Sequence, residues 1–190
     1  MGLDIKIMTT YSNKKKSLKK GVMSDISNVI LSKKAYENIV KAAKDGYSTP
    51  YKQERLGILL GRLKEDTIFV SDAILYKGGK YTRTSVLVES YSIEEFIKKL
   101  VKKLHLRFLG SFHTHNEVAD TISSTLSEDD KYPISDNYKT LLELTATIWV
   151  SDSPLQQSLY YCQARSGKYR IRIAAYRSGG SFPIIPVRCK

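Results

Sequence analysis

The chain has 190 residues, 42% of them apolar, so it is long enough to bury the core of one domain. Its 31 Lys and Arg residues against 19 Asp and Glu residues give a net charge of +12, which favours acidic partners such as nucleic acid, a membrane surface or an acidic protein. Two cysteines exclude a disulfide-rich scaffold, and no apolar stretch has the length of a signal peptide or a bilayer span, so we expect a soluble cytoplasmic protein.

We predict a basic, weakly structured N-terminal segment over residues 1–23, followed by one domain over residues 24–190. Much of the positive charge lies in this segment, at Lys14, Lys15, Lys16, Lys19 and Lys20. Such a run is typical of a solvated tail, because no aromatic side chain is interleaved to stack on nucleic-acid bases.

The first half of the domain predicts a mostly antiparallel sheet and one helix. Ser32 can cap the helix and Gly46 can end it, with Ile39 and Val40 on the core face. The apolar run that follows Glu54 is typical of a buried strand. The predicted strands of this half are residues 28–31, 54–61, 67–72 and 81–88.

The second half begins with a strongly amphipathic helix. Ser92 and Glu95 have the spacing of a capping box, and one apolar stripe runs from Ile93 to Leu104. His105 follows this helix and is expected to act as a C-terminal cation. The remaining predicted elements are a strand that ends in the two histidines, a loop over 116–125, a helix over 137–144, strands over 145–150, 157–164 and 168–176, and an extended piece over 182–187.

Cys162 and Cys189 have no partner at the spacing of zinc ligands. A reducing compartment is compatible with two free thiols. A bridge from Cys162 to the C-terminal tail stays open, because sequence does not give the distance between the two sulfurs.

His113 and His115 lie at the end of an apolar run, two residues apart. Side chains two apart on a strand share a face, so the two imidazoles would converge where a metal ion can sit. Asp130 can add a carboxylate oxygen, which gives three protein ligands and leaves one position of a zinc tetrahedron for water. An open position implies catalysis.

A hydrolase of this kind also needs a group that accepts the proton of the attacking water and gives one to the leaving nitrogen. We expect Glu54 in this role, because it immediately precedes a buried strand and would lie at the rim of the sheet. Ser127 can donate a hydrogen bond to the oxyanion that forms when a carbonyl is attacked.

Each signal alone is also compatible with a purely structural role. A His-x-His pair occurs by chance at strand ends, and Ser127 followed by Asp130 is also the start pattern of a helix. Pro133 argues against that helix, since it would fall after about one and a half turns. The joint occurrence in order and at suitable spacing favours a metal site.

These residues resemble the JAMM (MPN+) zinc metalloproteases, some of which remove ubiquitin or ubiquitin-like modifiers from lysine side chains. The family pattern is E-x-x-G-x-L-x-G, then H-x-H, then S-x-x-D, and it is similar here to Glu54, Gly57, Leu59, Gly61, His113, His115, Ser127 and Asp130. The resemblance covers residues 26–152. It implies an α/β (α+β) MPN/JAMM fold like that of cytidine deaminase, in which a central mixed sheet packs with two or three helices.

The resemblance also implies the site. His113, His115 and Asp130 would bind one Zn²⁺ per chain, Glu54 would be the general acid and base, and Ser127 would support the tetrahedral intermediate. The chain departs from the family at Asn116, where Pro is usual, and by about four additional residues between the second histidine and the serine. Because of the added length, it is open which acid is the third ligand: Asp130 is preferred for its spacing from Ser127, and Asp129 is the second choice. Glu128 and Asp120 are also near in sequence.

By the same resemblance, the substrate would be the amide that links a ubiquitin-like or sulfur-carrier-like protein, with a glycine-ending C-terminal tail, to its target. Such a tail can add as a strand at a sheet edge beside the metal. The alternative is a catalytically silent MPN-type scaffold that binds a protein partner or, given the charge, nucleic acid. The chain has no motif that reads nucleic acid, and a pure scaffold has no physical reason to keep the complete set of site residues.

Overall fold

The structure is a computed structural model that describes residues 26–117, 125–131, 133–152, 158–179 and 181–190. Two helices, α1 (Lys33–Tyr47) and α2 (Ser90–Leu104), and a short 3-10 turn at Asp129–Lys131 accompany eleven strands. The strands are β1 (Asn28–Leu31), β2 (Leu56–Lys64), β3 (Thr67–Leu75), β4 (Lys80–Tyr81), β5 (Val86–Leu87), β6 (Arg107–Asn116), β7 (Leu142–Val150), β8 (Tyr161–Ser166), β9 (Tyr169–Arg177), β10 (Ile184–Ile185) and β11 (Val187–Cys189).

Nine of these strands form one mixed sheet, and β4 and β5 form a separate small hairpin. The order across the sheet is β10-β9-β7-β6-β2-β3-β1-β11, and β8 pairs with β9 beside this path. β6 pairs with β7 in parallel, as β1 does with β3 and β11, and the other pairs are antiparallel. The predicted mixed sheet packed with helices is confirmed.

Each face of the sheet has its own core. α1 packs on one face, where its buried residues Ala35, Ile39 and Ala43 meet apolar side chains from β1, β3, β6, β7 and β9. Ser32 caps this helix as predicted, since its hydroxyl accepts the N–H of Ala35 at 3.1 Å. Tyr47 ends the helix, one residue after Gly46.

α2 packs on the opposite face, where Ile93 and Ile97 cover Leu56, Ile58 and Leu60 of β2. The predicted capping box of this helix is wrong. The helix begins at Ser90, with Glu89 as its N-cap, and the hydroxyl of Ser92 donates to the Glu89 carboxylate at 2.7 Å instead of capping a backbone N–H.

The helix predicted over 137–144 is also wrong, because β7 begins at Leu142 and pairs with β6 and β9 on its two sides. Every residue from Leu142 to Trp149 is buried, and residues 142–148 alternate apolar with polar side chains, which is the period of a strand and not of a helix. The alternating stretch 81–88 forms only the small β4–β5 hairpin.

Some expectations fall outside the described residues. They are the weakly structured segment 1–23 with its lysines, most of the loop 116–125 with Asp120, and the first residue of the strand predicted over 157–164. Residues 158–160 of that prediction are described and lie before the strand, which begins at Tyr161.

The two cysteines are paired in a disulfide that joins β8 to β11, with their Cα atoms 6.1 Å apart, a usual separation for such a bond. No helix in the described part of the chain is long and apolar enough to cross a membrane.

The glycines of β2 allow a close approach of neighbouring strands. A Cβ at Gly61 would lie 1.9 Å from the backbone oxygen of Phe69, beside a bulge in the β2–β3 pairing, and one at Gly57 would lie 2.1 Å from the ring of Phe112. The neighbour at Gly61 is backbone, so it cannot move away as a flexible side chain does.

Gly61→Ala is therefore expected to lower the free energy of unfolding by about 1–3 kcal/mol through steric strain. Gly79→Ala is the control, because its Cβ would meet nothing closer than 3.1 Å and should change stability by less than about 1 kcal/mol. Urea unfolding of both variants measures the difference, and equal stabilities would contradict the close approach.

Candidate metal centre

The pairing of β6 with its neighbours brings two histidines together. His113 and His115 alternate with Phe112, which faces α1, so both imidazoles point to the face of the sheet that carries α2. Their Nε2 atoms lie 2.8 Å apart and their ring centroids 4.7 Å apart.

The 3-10 turn at Asp129–Lys131 places a carboxylate against this pair. The Oδ1 atom of Asp130 lies 3.4 Å from Nε2 of His113, and its Oδ2 atom lies 3.7 Å from Nε2 of His115. One ligand atom from each of the three residues falls in a group whose members are all within 4.8 Å of one another. His113, His115 and Asp130 can therefore hold a metal ion.

Two of the three spacings are near those around a small tetrahedral ion. Zinc bonds of about 2.0–2.2 Å keep ligand atoms roughly 3.3 Å apart, near the 3.4 and 3.7 Å between Asp130 and the two imidazoles, whereas the two Nε2 atoms, 2.8 Å apart, would have to separate slightly. Oδ1 of Asp130 is buried and accepts no hydrogen bond from the described residues. A buried carboxylate oxygen needs a donor or a cation, and a metal ion bound to this group would supply the cation.

Ser127 fixes the orientation of the Asp130 side chain. Its backbone N–H donates to Oδ2 of Asp130 at 2.7 Å, and its hydroxyl accepts the backbone N–H of Asp130 at 3.3 Å. Burial alone would raise the pKa of Asp130, but the nearby imidazoles, that of His113 first and then that of His115, hold this pKa below its usual range. The carboxylate is therefore kept ionised.

Glu54 lies at the same site, just before β2. Its backbone N–H donates to the carbonyl of Thr82 at 2.7 Å, and its side chain interacts electrostatically with His115 and Asp130. The residue is only 3% exposed, and its Oε2 atom is buried without a hydrogen-bond partner in the described chain. Burial raises the pKa of Glu54 to about 8, and the Asp130 charge adds to this rise while His115 opposes it.

Sequence reasoning missed a second buried acid. Glu143 of β7 lies beside Ser111 of β6 on the face of the histidines, and its Oε2 atom is 2.5 Å from the Ser111 hydroxyl. Burial raises the pKa of Glu143 well above its ordinary value, and the Ser111 hydrogen bond lowers it only in part. A lone acid inside the apolar run 141–150 was the available signal.

Asn116 directly follows His115 and connects the end of β6 to the loop before Glu54. Its side-chain amide donates to the backbone carbonyl of Lys52, in the loop that leads to Glu54. Lys52 and Tyr47 both bind the carboxylate of Glu117, which follows Asn116. These contacts tie the end of β6 to the segment that carries Glu54.

The other acids and the third histidine do not join the group. Asp129 is half-buried on the 3-10 turn, Glu128 is exposed and paired with Lys131, and Asp120 lies outside the described residues. His105 is exposed at the end of α2, with a left-handed backbone at φ 53°.

Comparisons with known proteins give one family match and a similar fold. A sequence model of the family described as JAB1/Mov34/MPN/PAD-1 ubiquitin protease matches residues 24–132, which include all of the residues from Glu54 to Asp130. The solution structure of protein DSY2949 from Desulfitobacterium hafniense is similar in fold, with a TM-score of 0.57 at 16% identity over 85% of this chain and 92% of that one. A search of curated protein sequences found no significant match.

The buried Glu54 makes stability depend on pH in protein stripped of metal by a chelator. Between its ordinary pKa of 4.5 and the folded value of about 8, the folded chain holds a proton that the unfolded chain has lost. The free energy of unfolding therefore falls as pH rises through this window, by up to about 1.4 kcal/mol per pH unit. Glu54→Gln should remove this part of the slope, as measured by urea unfolding from pH 5 to pH 8. The exposed Glu37→Gln is the matched control, and an unchanged slope in Glu54→Gln would contradict the assignment.

Proposed function

This chain belongs to the JAB1/Mov34/MPN/PAD-1 ubiquitin protease family, and we propose that it is a zinc-dependent isopeptidase. Its substrate would be the amide that joins a ubiquitin-like or sulfur-carrier-like protein to its target. The observation that carries the proposal is the buried group of His113, His115 and Asp130 with Glu54 beside it. Three ligand atoms lie within 4.8 Å of one another, and the buried Glu54 carboxyl interacts with two of these residues, which is the arrangement that a metal-dependent hydrolase needs.

Each residue of the metal centre would have its own role in the hydrolysis. His113, His115 and Asp130 would hold the ion, which when bound supplies Lewis-acid chemistry that acidifies water and polarises the substrate carbonyl. Glu54 would accept a proton from the attacking water and give one to the leaving nitrogen. The oxygen of the Ser127 hydroxyl accepts the Asp130 N–H. Its own O–H would donate a hydrogen bond to the developing oxyanion.

The position of the small β4–β5 hairpin favours a substrate with an extended tail. Thr82, in the turn of this hairpin, binds the backbone N–H of Glu54, so the hairpin lies at the rim of the site. A glycine-ending tail lying there as an added strand would bring its last carbonyl close to Glu54 without side chains in the way.

We include a cytoplasmic location in this proposal. A disulfide is uncommon in a reducing cytoplasm, so the Cys162–Cys189 bridge is the feature that argues against it. Thiol labelling of the protein taken directly from cells, compared with purified oxidised protein, tests the location through the state of these two cysteines.

Purified, untagged protein is expected to hold about one zinc per chain, measured by inductively coupled plasma mass spectrometry. His115→Ala and Asp130→Ala should both lose the metal, because each removes one of three protein ligands. His105→Ala and Asp129→Ala are the matched controls and should keep it. An absence of zinc in the parent, even after metal is offered, would turn the function towards a silent scaffold.

Glu54→Gln is expected to keep its zinc and lose at least about 100-fold in turnover, because an amide cannot take up the proton of water. The assay is release of a ubiquitin-like protein with a Gly-Gly terminus from a lysine side chain. Glu37→Gln, an exposed change of the same kind on α1, should leave the rate unaltered. Full turnover in Glu54→Gln would remove Glu54 from this role.

A further inference from the structure

β3 has an edge that is only partly covered. β1 pairs with residues Thr67–Val70 and then turns into α1, where the N–H and hydroxyl of Ser32 bind the carbonyls of Val70 and Ser71. Within the described part of the chain, no strand pairs with residues 71–75 on this side. The stretch without a strand partner on this side is five residues, or roughly 17 Å of strand, and Ser32 occupies only the carbonyl of its first residue, Ser71.

The backbone of this stretch presents polar groups outward. Tyr76 donates its N–H to Leu56 of β2, so by the alternation of an antiparallel strand the groups of Leu75 and Ala73 point to the uncovered side. The Ala73 N–H is already engaged by the carboxylate of Asp72 at 3.0 Å. The Leu75 N–H is directed to the open side, next to a cavity.

That cavity has a volume of about 590 Å³ and lies between α1 and α2. We call it the edge groove. Its apolar lining comes from both helices and from β3, and consists of Ala42, Ala73, Ile74, Leu75, Leu100 and Leu104. An added strand here would have α1 against one face and α2 against the other.

The charge of the edge groove is positive. Four lysines line it, Lys34, Lys41, Lys77 and Lys103, against two acids, Asp45 and Asp72. Lys34 is neutralised by an ion pair with the buried Asp72 at 2.5 Å. Within the described residues, Lys41, Lys77 and Lys103 make no ion pair, so more positive than negative charge is left for a ligand.

We propose that the edge groove binds an extended acidic segment of a partner protein, which adds as a strand to residues 71–75 of β3. Main-chain hydrogen bonds to Leu75 would fix the register, apolar side chains would enter the lining, and acidic side chains would meet the three lysines. The net charge of +12 draws the same kind of partner towards the chain.

Two alternative roles for the lysines of the edge groove are protection of the sheet edge and binding of nucleic acid, and both explain the edge groove less well. Lysines often protect a sheet edge from unwanted pairing, but protection does not require a concave apolar cavity beside the edge. Nucleic acid also prefers positive charge, yet none of the residues that line the edge groove is aromatic, so bases have no ring to stack on.

The position of the edge groove connects it to the metal centre. Leu75 pairs with Gly57, three residues after Glu54, so the end of the edge groove is about 10 Å along the strand from that side chain. An acidic segment of a substrate could dock there while its tail reaches Glu54. This last step rests on the proposed isopeptidase function, whereas binding in the edge groove does not.

The test measures fluorescence anisotropy of a labelled peptide, Glu-Val-Glu-Thr-Glu-Val-Glu, titrated with the full chain with and without zinc. We expect micromolar binding under both conditions, weakened at least about tenfold by the double variant Lys41→Glu and Lys103→Glu. The control double variant Lys33→Glu and Lys102→Glu makes the same charge change on exposed positions of the same helices outside the edge groove, and should bind normally. The backbone amide of Leu75 should exchange with deuterium at least tenfold more slowly when the peptide is bound.

Several results would overturn the proposal. They are no binding of the acidic peptide, an equal loss in both double variants, or tighter lysine-dependent binding of a thymidine octanucleotide, which would make this a nucleic-acid surface. Because the peptide is tested without zinc, failure of the edge groove is distinguishable from failure of the isopeptidase function, which the zinc content and turnover of the metal-centre variants decide.

Discussion

The parallel register between β6 and β7 is the constraint on which the metal centre depends. It sets His113 beside Thr145 and Ser111 beside Glu143, with all four side chains on the face opposite α1. Gly110 permits this pairing, because a Cβ there would lie 1.7 Å from the Leu142 carbonyl. A slip of one residue would turn the imidazoles into the apolar core under α1 and place Phe112 at the site, so the packing of the core and the position of the ligands are specified together.

The centre concentrates buried polar groups at a cost to stability. Glu54, Asp130 and Glu143 are each almost fully buried, and each has a carboxylate oxygen without a hydrogen bond from the described residues. Burial of such groups costs several kcal/mol unless they are protonated, paired or bound to a cation. The pKa values of Glu54 and Glu143 are raised, which favours their uncharged forms. The pKa of Asp130 is lowered by the two imidazoles, so this carboxylate stays ionised.

The candidate metal centre and the edge groove lie at different places on the sheet. The candidate metal centre lies at the start of β2 and the end of β6, and the edge groove lies where β1 ends before β3 does. Backbone that the sheet leaves unpaired can bind an extended chain, and residues 71–75 of β3 are one such stretch in the described part of the chain.

The sequence by itself determined the parts that depend on local chemistry. Ser32 as a cap, the buried β2, the amphipathic α2 and the convergence of two histidines two residues apart on a strand all follow from periodicity and from residue type. The strand over residues 142–148 was also indicated by the sequence, in its alternation of apolar and polar side chains. Only the tertiary structure decided that Glu143 pairs with Ser111, that Asn116 holds the loop before Glu54, and that Cys162 meets Cys189. Each of these is a contact between residues more than twenty positions apart, and neither the period of a segment nor the type of a residue indicates which distant residue it will meet.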